Sequence, residues 1–150
     1  MQERTRIKMC GLTREADVDA AVRCGADAIG FVLYAASARH VSVERAAALA
    51  QRLPPFVTPV ALLVNATDTL IAAAVRAIPN LLLQFHGDET PLGCMAAARP
   101  FIRAARMTVG FDLLDFASQY SSAQAVLAEP SLPLGANRRC SGKCSFSVMT

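Results

Sequence analysis

The sequence has no apolar run long enough to cross a bilayer: stretches such as VALLV and LLLQF fall far short of the roughly 20 residues required. Its N-terminus, MQERTRIK, is charged and leads into no apolar segment of the kind that opens a secretory signal. A cytoplasmic protein without membrane contact is therefore expected. Neither sign of charge dominates, since 15 basic and 12 acidic residues are spread along the chain for a net charge of +3. That distribution forms no concentrated basic stripe, so no nucleic-acid partner is expected, while a mild positive bias suits a small anionic substrate. Tryptophan is absent, and the five cysteines, at 10, 24, 94, 140 and 144, are too few and too scattered for a disulfide framework. Reduced thiols are expected. Cys140 and Cys144, near the end in CSGKC, have no second pair or histidine beside them, so no metal is expected. Gly142 and Lys143 lack the spacing of a Walker loop, and CGLT after the first apolar run is no dinucleotide-binding turn.

What is present is the composition of one globular domain. The chain has 150 residues, 53% of them hydrophobic and 18% charged. A chain of this length buries roughly two thirds of its unfolded surface in one core.

Between residue 5 and about 129, short apolar runs alternate with stretches of helical spacing. TRIKM precedes Thr13, the expected cap of a first helix carrying Val18, Ala21, Val22 and Gly25 on one face. DAIGFV precedes Ser42, the expected cap of a helix with Val43, Ala46, Ala47, Ala50 and Leu53 in register, stopped by Pro54 and Pro55. TPVALLV is followed by Ile71, Ala74, Val75 and Ile78, and LLLQF by Thr90 and Pro91, a cap and first-turn pair. FIRAA precedes a fifth helix with Leu113, Phe116, Ala117 and Tyr120, and QAVLA supplies a sixth strand. Apolar runs that are continuous rather than alternating are buried on both faces, which points to a parallel sheet crossed by helices, an α/β fold. The reactive residues Cys10, Arg39, His86, Arg106 and Glu129 follow several different strands, as in a barrel with its site at the strand C-terminal ends. A complete eight-stranded barrel takes about 200 residues or more. Six units are visible.

Taken singly, these residues carry modest information. Cys10 follows the first strand and can act as a base or nucleophile beside cationic neighbours, or can equally be a buried small hydrophobe. Arg39, in YAASARHVS, has the geometry to hold a carboxylate or phosphate, although a solvated loop arginine looks the same in sequence. In QFHGDE, Gly87 and Asp88 are accounted for by a turn with Asp88 capping the next helix; His86 is not. Glu129, in VLAEP, can donate a proton if burial keeps its pKa high, or can simply end a strand before Pro130.

Together, KMCGLT, GADAIGFVLY with SARHVS, LPPFVTPVALLVN, QFHGDE and IRAARM closely resemble the phosphoribosylanthranilate isomerase family, in the right order over about residues 6 to 128. The resemblance implies a (β/α)8 TIM barrel, here with about six βα units, and a role in tryptophan biosynthesis. It implies an Amadori rearrangement in which an acid opens the furanose ring to a Schiff base and a base removes the C2 proton, with no cofactor. By the same resemblance Cys10 is the base, Arg39 holds the anthranilate carboxylate, and His86 lines the rim. A small phosphorylated molecule is the implied substrate.

The sequence departs from the family in two places. ASARH replaces the common Lys-Ser-Pro-Arg-Tyr, and VLAE puts Glu129 where the family's aspartate acid stands. An added methylene shifts the proton by about an ångström, a displacement that can cost around a hundredfold in rate. From Pro130 onward the sequence leaves the family's pattern, as a truncated or frameshifted chain does, so residues 1–129 are expected as a partial barrel and 130–150 as a divergent, disordered tail. Two readings remain open: an isomerase with activity impaired or lost, and a non-catalytic remnant or a barrel fragment completed by a partner. Unpaired sheet edges are expected to drive self-association.

Overall fold

A computed structural model of the chain describes residues 4–130 and 145–149. Strands and helices alternate as β1 (Arg6–Cys10), α1 (Glu15–Arg23), β2 (Ala28–Val32), α2 (Val43–Ala50), β3 (Thr58–Leu63) and α3 (Asp68–Ala77). They continue as β4 (Leu82–Phe85), α4 (Pro91–Ala96), β5 (Phe101–Met107), α5 (Leu113–Gln119), β6 (Ala125–Pro130) and β7 (Ser145–Met149). One seven-stranded sheet results, in the order β6-β5-β4-β3-β2-β1-β7. The first six strands pair in parallel and in sequence order, forming the half-barrel of a TIM-barrel fold.

Pleating assigns the two faces of this sheet different tasks. One face carries Ile29 and Phe31 of β2, Ala61 and Leu63 of β3, Leu83 and Phe85 of β4, and Phe101 of β5, all buried against Val18, Leu49, Ile71 and Ala74 of the helices. Burying each large side chain of this kind is worth about 1.5–3 kcal/mol. Phe85 and Phe101 meet edge to face with ring centroids 5.8 Å apart. The opposite face carries Lys8 and Cys10, Gly30 and Val32, Val60 and Leu62, Gln84, Ile102 and Ala104, Leu127 and Glu129, aligned by the parallel register.

Helix ends follow local chemistry. Ser42 caps α2 by accepting from the Arg45 amide, and Thr90 caps α4 by accepting from the Gly93 amide with Pro91 just inside. Two expected caps are corrected. The first helix is capped by Arg14, not Thr13, with no side-chain cap bond; Arg14 instead grips Asp17 through two 2.8 Å contacts in the acidic first turn. Asp88 does not cap α4, because its amide is drawn to the Asn65 side chain at 2.7 Å and Thr90 takes the cap.

Within the segment set apart at 130–150, Ser145–Met149 forms β7 and pairs antiparallel with β1, Cys10 opposite Ser145 and Arg6 opposite Met149. The outer edge of β1, expected to be open, is thus occupied, since its row of free N–H and C=O groups is a template for any extended segment. The cysteine pair at 140 and 144, with Gly142 and Lys143, lies outside the described residues.

Gly30 permits a close contact between β2 and β1. A Cβ there would lie 2.7 Å from the Cys10 sulfur and 3.2 Å from the Cys10 Cα, the latter fixed by the sheet. Gly30→Ala is therefore expected to destabilise the fold by about 1–3 kcal/mol through overpacking. Urea unfolding midpoints measure this, and an unchanged midpoint would mean that the two strands are less tightly held than they stand here.

Candidate active site

The inner-face side chains converge at the C-terminal ends of the strands in a cleft of about 290 Å³. Cys10, Arg39, His86 and Glu129 all line it, with Lys8, Val32, Tyr34, Ser37, Leu62 and Gln84. The four residues singled out in the sequence are therefore brought together. A larger hollow of about 800 Å³ opens at the other end of the sheet around Arg4, Asp27 and Phe56. Its Arg4 and Asp27 are committed to each other in an ion pair, so the smaller cleft holds the groups able to do chemistry.

Cys10 ends β1 and is 5% exposed. Gly11 turns the chain directly after it with φ of +84°, a conformation that favours glycine. The same residue lets Arg39 fold over the turn: a Cβ on Gly11 would stand 2.6 Å from Arg39 Nη1. Arg39 Nη1 donates to the Cys10 carbonyl at 3.0 Å, and the Arg39 amide donates to Ser37 Oγ at 3.2 Å. The loop arginine, although exposed, is thus tied to the backbone of Cys10.

His86 directly follows β4, and its amide donates to the Leu63 carbonyl at 2.9 Å. Its Nε2 stands 2.6 Å from Gln84 Nε2 and 3.5 Å from Glu129 Oε1. Burial pushes the imidazole pKa down to about 4, helped by the positive charges of Lys8, Arg103 and Arg106. At neutral pH the ring is uncharged. Burial also raises the Glu129 pKa, against the opposing pull of Lys8, Arg106 and Arg39. The His86–Glu129 contact is therefore a neutral imidazole facing a carboxyl inclined to keep its proton, rather than an ion pair.

Lys8 and Gln84 were not singled out in the sequence, yet both line the cleft at 2% and 1% exposure. The signal was there: each is a polar residue inside an apolar run, two positions before a site residue, and so on the same face of its strand. Among the described residues no group of three or more His, Cys, Asp or Glu is placed to hold a metal. No helix among them is long and apolar enough to cross a membrane.

The sequence profile of the family described as "N-(5'phosphoribosyl)anthranilate (PRA) isomerase" matches residues 7–132. The N-(5'-phosphoribosyl)anthranilate isomerase of Methylibium petroleiphilum is 71% identical over 126 residues, covering 84% of this chain and 59% of that protein. Among solved structures, the phosphoribosyl anthranilate isomerase of Thermotoga maritima superposes with a TM-score of 0.78 at 30% identity, over 87% of this chain and 63% of that one. Another, solved with reduced 1-(o-carboxyphenylamino)-1-deoxyribulose 5-phosphate, gives 0.74 at 30% identity, over 85% of this chain and 66% of that one. The chain thus spans about three fifths of the length of the curated relative that it matches.

The buried imidazole has a consequence for acid stability. His86 has a folded pKa of about 4, against an ordinary value near 6.5, so between these values the unfolded state binds more protons. Stability is lost as pH falls through that window. Glu129 acts in the opposite sense: its raised pKa gives stability that is full below the ordinary carboxyl value and is lost as pH rises through the folded one. His86→Asn is expected to flatten the acid-side loss, read from urea midpoints between pH 6.5 and 4. Parallel curves for parent and variant would show that the imidazole is not held uncharged by the fold.

Proposed function

Because the chain belongs to the N-(5'-phosphoribosyl)anthranilate isomerase family, we propose that its cleft carries out the Amadori rearrangement of phosphoribosylanthranilate, an aminoaldose, to the corresponding aminoketose in tryptophan biosynthesis in the cytoplasm. The observation that carries the proposal is the convergence of Cys10, Arg39, His86 and Glu129 in one cleft at the strand C-terminal ends.

Glu129, which burial inclines to remain protonated, is the group suited to protonate the furanose ring oxygen. Ring opening then leaves a protonated Schiff base. Cys10, as thiolate, takes the C2 proton, and the electron pair left on C2 flows into the iminium, giving an enolamine that tautomerises to the ketone. The imine is itself the electron sink, so the chemistry calls for no cofactor. Lys8 and Arg39 line the same cleft as Cys10, and Arg39 is bound to the Cys10 carbonyl. Arg39 also has the planar donor pair that a benzoate carboxylate accepts. His86, uncharged, lines the rim between acid and base.

Turnover is tested with the purified 150-residue chain and freshly generated phosphoribosylanthranilate, followed by the loss of substrate fluorescence. Cys10→Ala is expected to lower kcat by about 10²–10⁴, the usual worth of a general base. Arg39→Ala is expected to raise KM. Activity indifferent to Cys10→Ala, or a soluble chain without turnover, sinks the reading.

A second reading has its own support: β6 pairs with β5 alone among the described residues and presents an edge to which a second copy or a partner strand can add. Size-exclusion chromatography is expected to show a dimer or larger species. A strictly monomeric elution at all concentrations removes this partner-completed arrangement.

A further inference from the structure

Arg103 lies in β5 on the face turned away from the cleft, yet it is only 5% exposed. Its register partners are Phe85 on β4 and Val126 on β6. Carrying a guanidinium into that apolar side is costly unless its donors are met. Its two terminal nitrogens are met by backbone: Nη1 donates to the Phe85 carbonyl at 2.9 Å and to the Ala104 carbonyl at 3.2 Å, and Nη2 donates to the Gly87 carbonyl at 2.6 Å, while the buried Nε finds no hydrogen-bond acceptor among the described residues. The guanidinium carbon stands 5.0 Å from the Tyr120 ring centroid and 5.5 Å from that of Phe116, within cation–π range. Glu89 Oε2 is 3.7 Å from Nη1.

The two carbonyls from β4 and its loop, Phe85 and Gly87, flank a single residue, His86. Its own amide is held from the other side by the Leu63 carbonyl of β3 at 2.9 Å. The following residues are tied down by the same cluster. Glu89 Oε1 accepts from the Asn65 amide at 2.7 Å, Asn65 Oδ1 accepts from the Asp88 amide at 2.7 Å, and Tyr120 donates to the Glu89 carbonyl at 2.7 Å.

We propose that Arg103 is a positioning residue for the cleft: its forked guanidinium, entering from behind the sheet, grips the carbonyls on both sides of His86 and fixes where the imidazole stands. A guanidinium spans two carbonyls in one plane; a lysine ammonium at the end of a flexible stem does not. Arg103 does not line the cleft and acts through His86 alone. The proposal rests on the reading of that cleft as the reaction site, but its test requires no turnover.

The test is the titration of His86 by NMR in the 150-residue chain. The sequence has two histidines, so His86→Asn assigns the ring signals and His40 serves as the internal control. His86 in the parent titrates near 4, with Lys8, Gln84 and Glu129 facing it across the cleft and Arg103 and Arg106 adding charge. Arg103→Lys keeps the charge and removes the fork. The His86 midpoint is expected to rise by about one unit or more as the ring gains solvent, with His40 unmoved. Tyr120→Phe, which breaks the bond to the Glu89 carbonyl and leaves the fork, is expected to leave the midpoint in place.

An unmoved His86 midpoint in folded Arg103→Lys overturns the proposal, as does an equal shift in Tyr120→Phe. Should Arg103→Lys fail to fold, Arg103→Met serves instead, read by hydrogen exchange of the His86 amide, which does not depend on the lost charge of the imidazole's neighbour. Exchange is expected to speed by about tenfold or more as the loop loosens, and unchanged protection of that amide overturns the proposal. An inactive chain with the expected shift removes the isomerase reading alone; an active chain without it removes the role of Arg103 alone.

Discussion

Parallel pairing is the constraint on which the rest of this molecule depends. When β1 to β6 run in one direction and in sequence order, every strand ends at the same edge, and residues far apart in sequence become neighbours in space. Cys10 and Glu129 share a cleft for that reason. The strict alternation of strand side chains then divides labour between the faces. Apolar residues behind the sheet meet the helices, and the face in front is free to carry Lys8, Cys10, Gln84 and Glu129. A shift of one residue in any strand would exchange the two sets and bury the wrong one.

That division brings charged groups together on one face, from the buried Lys8 to the exposed Arg39. Lys8 and Arg39 line the cleft together with a carboxyl and an imidazole, and the charges of Lys8 and Arg106 are felt by both. The imidazole responds by giving up its proton more readily. Glu129 experiences opposing influences, burial favouring the acid and the cations favouring the carboxylate, with burial prevailing. The imidazole and the carboxyl thus shift in opposite senses because burial favours the uncharged form of each, which is the base in one and the acid in the other.

Much of this arrangement was legible in the sequence, and the reasons are local. Continuous apolar runs placed the strands, and caps with strong chemistry, Ser42 and the Thr90–Pro91 pair, fixed their helices correctly. Strand ends fell within a residue of expectation at Leu63, Met107 and Pro130. Thr13 and Asp88 misled because a side chain suited to capping does not reveal which competing amide it will meet. Lys8, Gln84 and Arg103 escaped notice for another reason. A polar residue in an apolar run has meaning only once the register says which side it faces, and Lys8 and Arg103, similar in sequence, face opposite ways. The pairing of β7 with β1 likewise depends on an open edge, a property of the assembled sheet and of no single segment.

Glu129 shows how register and side-chain length together place a carboxyl. Its register partner on β5 is Arg106, and its carboxylate reaches to 3.5 Å from the imidazole of His86. A shorter aspartate at that position would stop farther from the ring. The longer side chain therefore brings the proton toward a neighbour whose place is itself set from behind the sheet by the Phe85 and Gly87 carbonyls. If the imidazole were free to swing, an extra methylene in the acid would add only uncertainty in the proton's position. Held as it is, the ring gives the Glu129 carboxyl a fixed surface to lie against, so the placement of that carboxyl and the rigidity of the loop after β4 belong to the same physical question.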